Sequence, residues 1–336
     1  AKCALALKTL ERDDLASWKA LRARGIFRGT GPAPKVAFLF TGQGSQYANM
    51  LATLRDSEPI VAATFAEADQ IMRPLLDGRA LSDVVFVDPA DEGALAQATA
   101  DLMRTEITQP AVLTADIALT RLLAAYGIEP DLVMGHSLGE YGALVAAGVL
   151  RFGDALEAVS ARGHEMAALD VPDAGSLAAV GAPPEVVEDV IARTDGYVVL
   201  ANVNSSKQVV LGGATEPVEA VVATLQAEGH QAMMLPVSHA FHTAIVAPAS
   251  EPLRATLRGL DIAAPRIPVV ANVDGALYPT GGDAAERIVD ILGRQVASPV
   301  QFIDGLRTLW GEGARVFVEV GPKRALQGFA SDVLGN

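Results

Sequence analysis

Short apolar runs bounded by chain breakers alternate with stretches of helical periodicity along most of this chain. Lys35–Phe40 (KVAFLF) stands between GTGPAP (29–34) and TGQGSQ (41–46), as expected of a strand buried on both faces. Helical patterns are expected over 57–73 and 108–126, the latter with Thr108 as N-cap and Pro110 in its first turn. A strand at 131–134 runs at once into a helix over 138–150, and another helix is expected over 154–166. Further strands are expected at 267–272 and 314–320. Strands alternating with helices specify the α/β class and a mostly parallel sheet.

The middle of the chain has a different rhythm. Strands at 176–181, 197–203, 208–212 and 231–237 and helices at 183–194 and 215–228 come in the order βαββαβ, with a tight NSSK turn in the hairpin. That order is the ferredoxin-like unit. The expected organisation is an N-terminal helix and linker over 1–34 and a large subdomain over 35–170 and 238–336. The small ferredoxin-like subdomain is inserted at 171–237. The leading helix, over 5–24, is amphipathic and the chain opens on Ala1 without an initiator methionine, so a piece excised from a longer polypeptide is expected.

The charge narrows the partners. Lys and Arg number 26 against 40 Asp and Glu, a net charge of −14, which disfavours nucleic acid and anionic membranes. The N-terminal apolar stretch ends at Lys8, and the longest apolar run, 141–150, is about half a membrane span. One cysteine, Cys3, leaves no internal disulfide and no CxxC site, and none of the five histidines forms HExxH. The expectation is a cytoplasmic protein with no metal.

The chemistry centres on Gly135-His136-Ser137-Leu138-Gly139, a GxSxG sequence between an expected strand and helix. In that context it is a nucleophile elbow, and it makes the large sheet α/β-hydrolase-like. The turn lifts the Ser137 hydroxyl over the strand end, where the free amides of a helix N-terminus favour an oxyanion. The turn Gly42-Gln43-Gly44 after the first strand offers a second oxyanion amide. Serine needs a base, and His239 and His242 in HAFH lie at the exit from the small unit; the pattern does not choose between them. No acid stands out between Ser137 and this pair, which points to a Ser–His dyad oriented by a carbonyl.

GQGSQY (42–47), TQPA (108–111), GHSLGEYGALVAAGVL (135–150), SARG (160–163), HAFH (239–242), RQVASPVQF (294–302) and EVGP (319–322) together resemble the malonyl-CoA:acyl-carrier-protein acyltransferase family. The resemblance runs from about 35 to 330 and is greatest to the acyltransferase domains of iterative or modular polyketide synthases. It implies malonyl transfer from malonyl-CoA to the phosphopantetheine thiol of an acyl carrier protein through a malonyl-serine, with no cofactor. Under it, Ser137 is the nucleophile and His242 the base. The amides of Gln43 and Leu138 form the oxyanion hole. The Gln295 carbonyl orients the histidine, and Arg162 binds the malonyl carboxylate. His136, His239 and Phe241 line the substrate pocket, HAFH resembling malonyl-selective relatives where methylmalonyl-selective ones tend to read YASH. The N-terminal helix resembles the tail of a linker from a preceding ketosynthase domain. CoA and carrier proteins are anionic, so Lys207, Arg294, Lys323 and Arg324, near the matched blocks, are candidates for a local positive field. The alternative is a serine hydrolase or thioesterase, which accounts for GHSLG but not for HAFH or the inserted unit.

Overall fold

A computed structural model describes residues 2–11, 15–29 and 31–335. The chain divides into two compact units, one up to Pro34 and one from Lys35 onward. In the first, helices Lys2–Leu10 and Leu15–Arg22 stand where one helix over 5–24 is expected; residues 12–14 of that expectation lie outside the described residues. Trp18, Leu21 and Ile26 form its small core, with Leu5 and Ala6 against it.

The second unit holds, among the described residues, nine strands in two sheets. They are β1 (Lys35–Phe40), β2 (Leu132–Gly135), β3 (Ser176–Gly181), β4 (Val198–Ser205), β5 (Gln208–Gly213), β6 (Gln231–Met234), β7 (Val269–Val270), β8 (Val300–Gln301) and β9 (Ala314–Val320). The larger subdomain's sheet has the order β7-β2-β1-β9, every pairing parallel. Phe38 and Phe40 on one face of β1, and Ala37 and Leu39 on the other, are all buried, which is why its sequence is apolar from Val36 onward instead of alternating. Phe40 is in register with both Gly135 and Val320, so β1, β2 and β9 end together and their following loops leave one edge. Ligands of open α/β sheets bind beyond that carboxyl edge.

The second sheet has the order β6-β3-β5-β4-β8. Its first four strands are antiparallel in the ferredoxin-like arrangement expected of βαββαβ. Helices Pro184–Ala192 and Thr215–Ala227 bury Val187, Val190, Val218, Val221 and Leu225 against it. The fold is thus α/β, an all-parallel sheet with a ferredoxin-like subdomain. β8 was not expected. It pairs parallel to β4 from the later part of the chain, and the Gln301 amide donates to the Asn272 carbonyl at 2.8 Å, joining the subdomains.

Several boundaries differ from expectation for local reasons. The helix expected over 57–73 is two, Ala52–Ser57 and Pro59–Met72, because Glu58 precedes a proline and is extended. Thr108 is not an N-cap: the helix is Thr105–Ala125, with Arg104 extended before it and Pro110 inside. The helix after the GxSxG turn ends at Ala146, ahead of Gly148 at φ 71°. The strand expected at 231–237 stops at Met234, and the one at 267–272 shrinks to Val269–Val270. The hairpin turn is Ser206-Lys207 alone; Asn204 and Ser205 stay in β4. No helix among the described residues is long and apolar enough to cross a membrane.

Candidate active site

The turn between β2 and helix Gly139–Ala146 holds Ser137 at φ 52°, left-handed and unfavourable for a residue with a side chain. Its neighbours permit this. A Cβ on Gly135 would lie 1.9 Å from the Gly139 carbonyl carbon, and one on Gly139 would lie 2.2 Å from the Phe40 carbonyl oxygen. Only glycine lets strand, turn and helix approach this closely. Asn272, two residues beyond β7, straps the turn: its Oδ1 accepts from the Ser137 amide at 2.6 Å and its Nδ2 donates to the Gly135 carbonyl at 2.8 Å. Asn272→Ala leaves both groups without these partners and is expected to cost about 1–3 kcal/mol. A thermal or denaturant midpoint unchanged from the parent would show that the strap contributes nothing.

The Ser137 Oγ lies 2.6 Å from His242 Nε2. His242 is buried, also left-handed at φ 62°, and its amide donates to the Val296 carbonyl. Its Nδ1 faces two carbonyls, Gln295 O at 3.0 Å and Ser298 O at 3.1 Å. Carbonyls only accept, so Nδ1 carries the proton and Nε2 is left to accept from the serine hydroxyl. Burial and the nearby Arg162 guanidinium push the imidazolium down to about 3. The ring is therefore neutral at ordinary pH, the state a base requires.

Arg162, from helix Phe152–Ala167, is 2% exposed, and amide oxygens hold its guanidinium. It donates to Gln109 Oε1 at 2.9 Å and to Gln295 Oε1 at 3.1 Å, and lies 3.4 Å from the Ser137 Oγ. Gln295 ties the site together. Its backbone carbonyl faces the imidazole, its Oε1 faces Arg162, and its Nε2 donates to the Ser137 carbonyl at 2.7 Å and to Glu140 Oε2 at 2.9 Å. Glu140 is fully buried; its Oε1 accepts from the Tyr278 hydroxyl at 2.5 Å and the Asn272 amide at 3.2 Å. Desolvation raises its carboxyl to about 7 against those hydrogen bonds and the Arg162 charge.

The structure therefore brings Ser137, His242, Arg162 and Gln295 into one hydrogen-bonded cluster. The amides of Gln43 and Leu138 have no acceptor among the described residues, while the Ser137 amide is taken by Asn272. The Gln43 side chain accepts from Thr105 Oγ1 at 3.0 Å. The His136 ring points toward the small subdomain: its Nε2 is 2.7 Å from Asn204 Oδ1, and its ring centroid is 5.2 Å from that of Phe302. His239 and Phe241 are buried with ring centroids 6.4 Å apart; His239 Nε2 lies 3.3 Å from the Leu169 carbonyl and not at Ser137. Of the basic residues, Lys207 is paired with Asp332 at 2.6 Å and Arg294 with Asp290 at 2.9 Å, whereas Lys323 donates to the Gly44 carbonyl at 2.8 Å, beside Gln43.

Sequence reasoning did not single out Gln109, Glu140, Asn272, Tyr278 or Ser298. Gln109 and Glu140 stand inside TQPA and GHSLGEY, where a polar side chain in an apolar helical pattern is the available signal. The arrangement can pass the serine proton to His242 and attack a carbonyl carbon, with a buried cation beside the hydroxyl.

Residues 37–334 match the family described as Acyl transferase domain. Malonyl CoA-acyl carrier protein transacylase of Bacillus subtilis is 36% identical over 304 residues, covering 89% of this chain and 90% of that protein. Polyketide synthase GfsB of Streptomyces halstedii is 37% identical over 331 residues, 96% of this chain but only 6% of that synthase. The crystal structure of an acyl carrier protein S-malonyltransferase from Vibrio cholerae superposes with a TM-score of 0.78 at 36% identity, over 89% of this chain and 94% of the other. With its serine elbow and Ser137–His242 pair, the chain belongs to the acyl transferase domain family.

Proposed function

We propose that the chain transfers malonyl from malonyl-CoA to the phosphopantetheine thiol of an acyl carrier protein. The observation that carries this reading is the buried Arg162 guanidinium 3.4 Å from the Ser137 Oγ, itself 2.6 Å from His242 Nε2. A cation beside an acylatable serine selects an acyl group with its own carboxylate. His242 takes the Ser137 proton as the oxygen attacks the thioester. The Gln43 and Leu138 amides hold the oxyanion, and CoA leaves as the thiol with the proton from His242. The carrier thiol, deprotonated by His242, then attacks malonyl-Ser137, and the serine oxygen leaves with that proton. No cofactor enters these steps.

Incubation with malonyl-CoA is expected to add one malonyl group at Ser137, seen by intact mass, and holo carrier protein is expected to remove it as malonyl-carrier. Release of free malonate with no adduct and no loaded carrier would make the chain a hydrolase instead.

The setting we infer is a polyketide synthase in the cytoplasm, with ketosynthase and carrier domains as neighbours. Supporting it, the match to the synthase spans 96% of the chain and so must include residues before Lys35. Within this reading 1–34 is the interdomain linker, and the large subdomain, 35–170 with 238–336, carries the small one at 171–237.

Phe241 and His239 are assigned to the acyl pocket with His136. Methylmalonyl adds a methyl between the carbonyls, on the carbon held between Ser137 and Arg162. A smaller residue at 241 gives it room. One methyl discriminates by about 1–3 kcal/mol, so His239→Tyr with Phe241→Ser is expected to relax, not reverse, malonyl preference when the two CoA esters compete for Ser137. A folded, active double variant with unchanged preference would remove Phe241 from the selectivity determinants.

A further inference from the structure

Among the described residues, Arg162 is a buried cation with no carboxylate against it, and Glu140 is a buried carboxyl with no cation against it. A single side-chain amide stands between them, that of Gln295, whose Nε2 is 2.9 Å from Glu140 Oε2 and whose Oε1 is 3.1 Å from an Arg162 nitrogen. Because the Glu140 oxygens accept, the NH2 end of that amide must face Glu140 and the oxygen end must face Arg162. The two charges attract through this bridge. If the proposed function is right, the substrate brings a second carboxylate to Arg162, and a single buried cation then faces two anions.

We propose that Glu140 is the resident counter-charge of Arg162 and takes up a proton when the malonyl carboxylate binds there, making it a positioning residue for selection of the acyl group. The proton comes from solvent, and the buried cluster keeps its net charge: one anion enters and one is neutralised. Its carboxyl, raised to about 7, is ionised or not within the working range, so a new negative charge nearby changes its state. His242 also lies near Arg162, and compensation of that cation moves its imidazolium up from about 3, but burial, the larger cause, still holds it below its ordinary value. The other titratable groups facing Glu140 are Tyr278, which donates to it, and Tyr141 on its own helix; burial raises both hydroxyls, which remain protonated.

Acetyl-CoA carries the same CoA and no acyl carboxylate, so the ratio of kcat/KM for malonyl over acetyl isolates this effect. In the wild-type chain the ratio is expected to fall by on the order of tenfold between about pH 6 and about pH 9, as Glu140 ionises and must be reprotonated for malonyl to bind. Malonylation of Ser137 is expected to take up part of a proton from a dye-monitored solution above neutral pH, and acetylation none. Glu140→Gln is expected to make the ratio independent of pH. Tyr278→Phe removes a donor to the carboxylate, so its inflection is expected at higher pH, and it serves where the glutamine variant does not fold. A Glu140→Gln ratio with the wild-type pH dependence, or no proton uptake on malonylation, would overturn the proposal. Absence of malonyl-Ser137 at every pH defeats the transfer reading itself, whereas malonyl-Ser137 with a flat wild-type ratio defeats only the role of Glu140.

Discussion

Ser137→Ala is expected to remain unmodified by malonyl-CoA in intact mass, and transfer to a carrier protein is expected to fall by on the order of 10^4–10^6-fold. The variant removes the oxygen that lies against His242 Nε2 and leaves the backbone contacts that position it. The strap from Asn272 is made to the backbone amide, and the Gln295 side chain donates to the backbone carbonyl, so both survive the substitution. The left-handed turn is paid for by Gly135 and Gly139, and alanine at φ 52° is no worse placed than serine. The fold, read by its denaturation midpoint, is therefore expected to be kept, which separates lost chemistry from lost structure. Labelling of the alanine variant by malonyl-CoA would place the acyl bond elsewhere.

The parts of this molecule that were legible in the sequence are those encoded locally. The last four residues of β1, Ala37 to Phe40, are buried on alternate faces, so its apolar run has no competing interpretation, and the βαββαβ order dictates how β3 to β6 pair. β7 and β8 are two residues each, too short for any period, and they exist because neighbouring strands offer free edges. The same division runs through the site. The GxSxG turn is readable because a sharp strand-to-helix turn needs glycine at fixed positions. Asn272 meets Ser137 from 135 residues away, and Gln295 meets Glu140 from 155. No spacing rule connects such pairs; only the common end of β1 and β2, with the chain after β7 beside it, brings them together. Gln295 shows the limit best. Its backbone carbonyl was assigned to the histidine from the resemblance, whereas the side-chain bridge from Glu140 to Arg162 depends on three separate helices and has no signature in any one of them.

Arg162→Ala is expected to lower kcat/KM for malonyl on the order of 10–100-fold, through the loss of a charge-assisted contact of about 1.5–3 kcal/mol, and to lower it far less for acetyl. The comparison matters because Arg162 is also structural: its removal leaves Gln109 Oε1 and Gln295 Oε1 without their donor, and that damage reaches both substrates alike. A second readout comes from the base. Burial first, and the Arg162 charge after it, hold the His242 imidazolium down at about 3, so the parent is expected to lose no activity to His242 protonation until strongly acidic pH. Without that charge the histidine moves back toward its ordinary value near 6.5, and protonation, which removes the acceptor for the Ser137 proton, sets in at higher pH. The acidic limb of the acetyl-transfer profile is therefore expected to shift upward in the variant. That assay is blind to any carboxylate contact and reports the field of Arg162 on the base alone. Equal losses for malonyl and acetyl would make Arg162 a structural residue, and an unmoved acidic limb would mean that burial alone keeps His242 neutral.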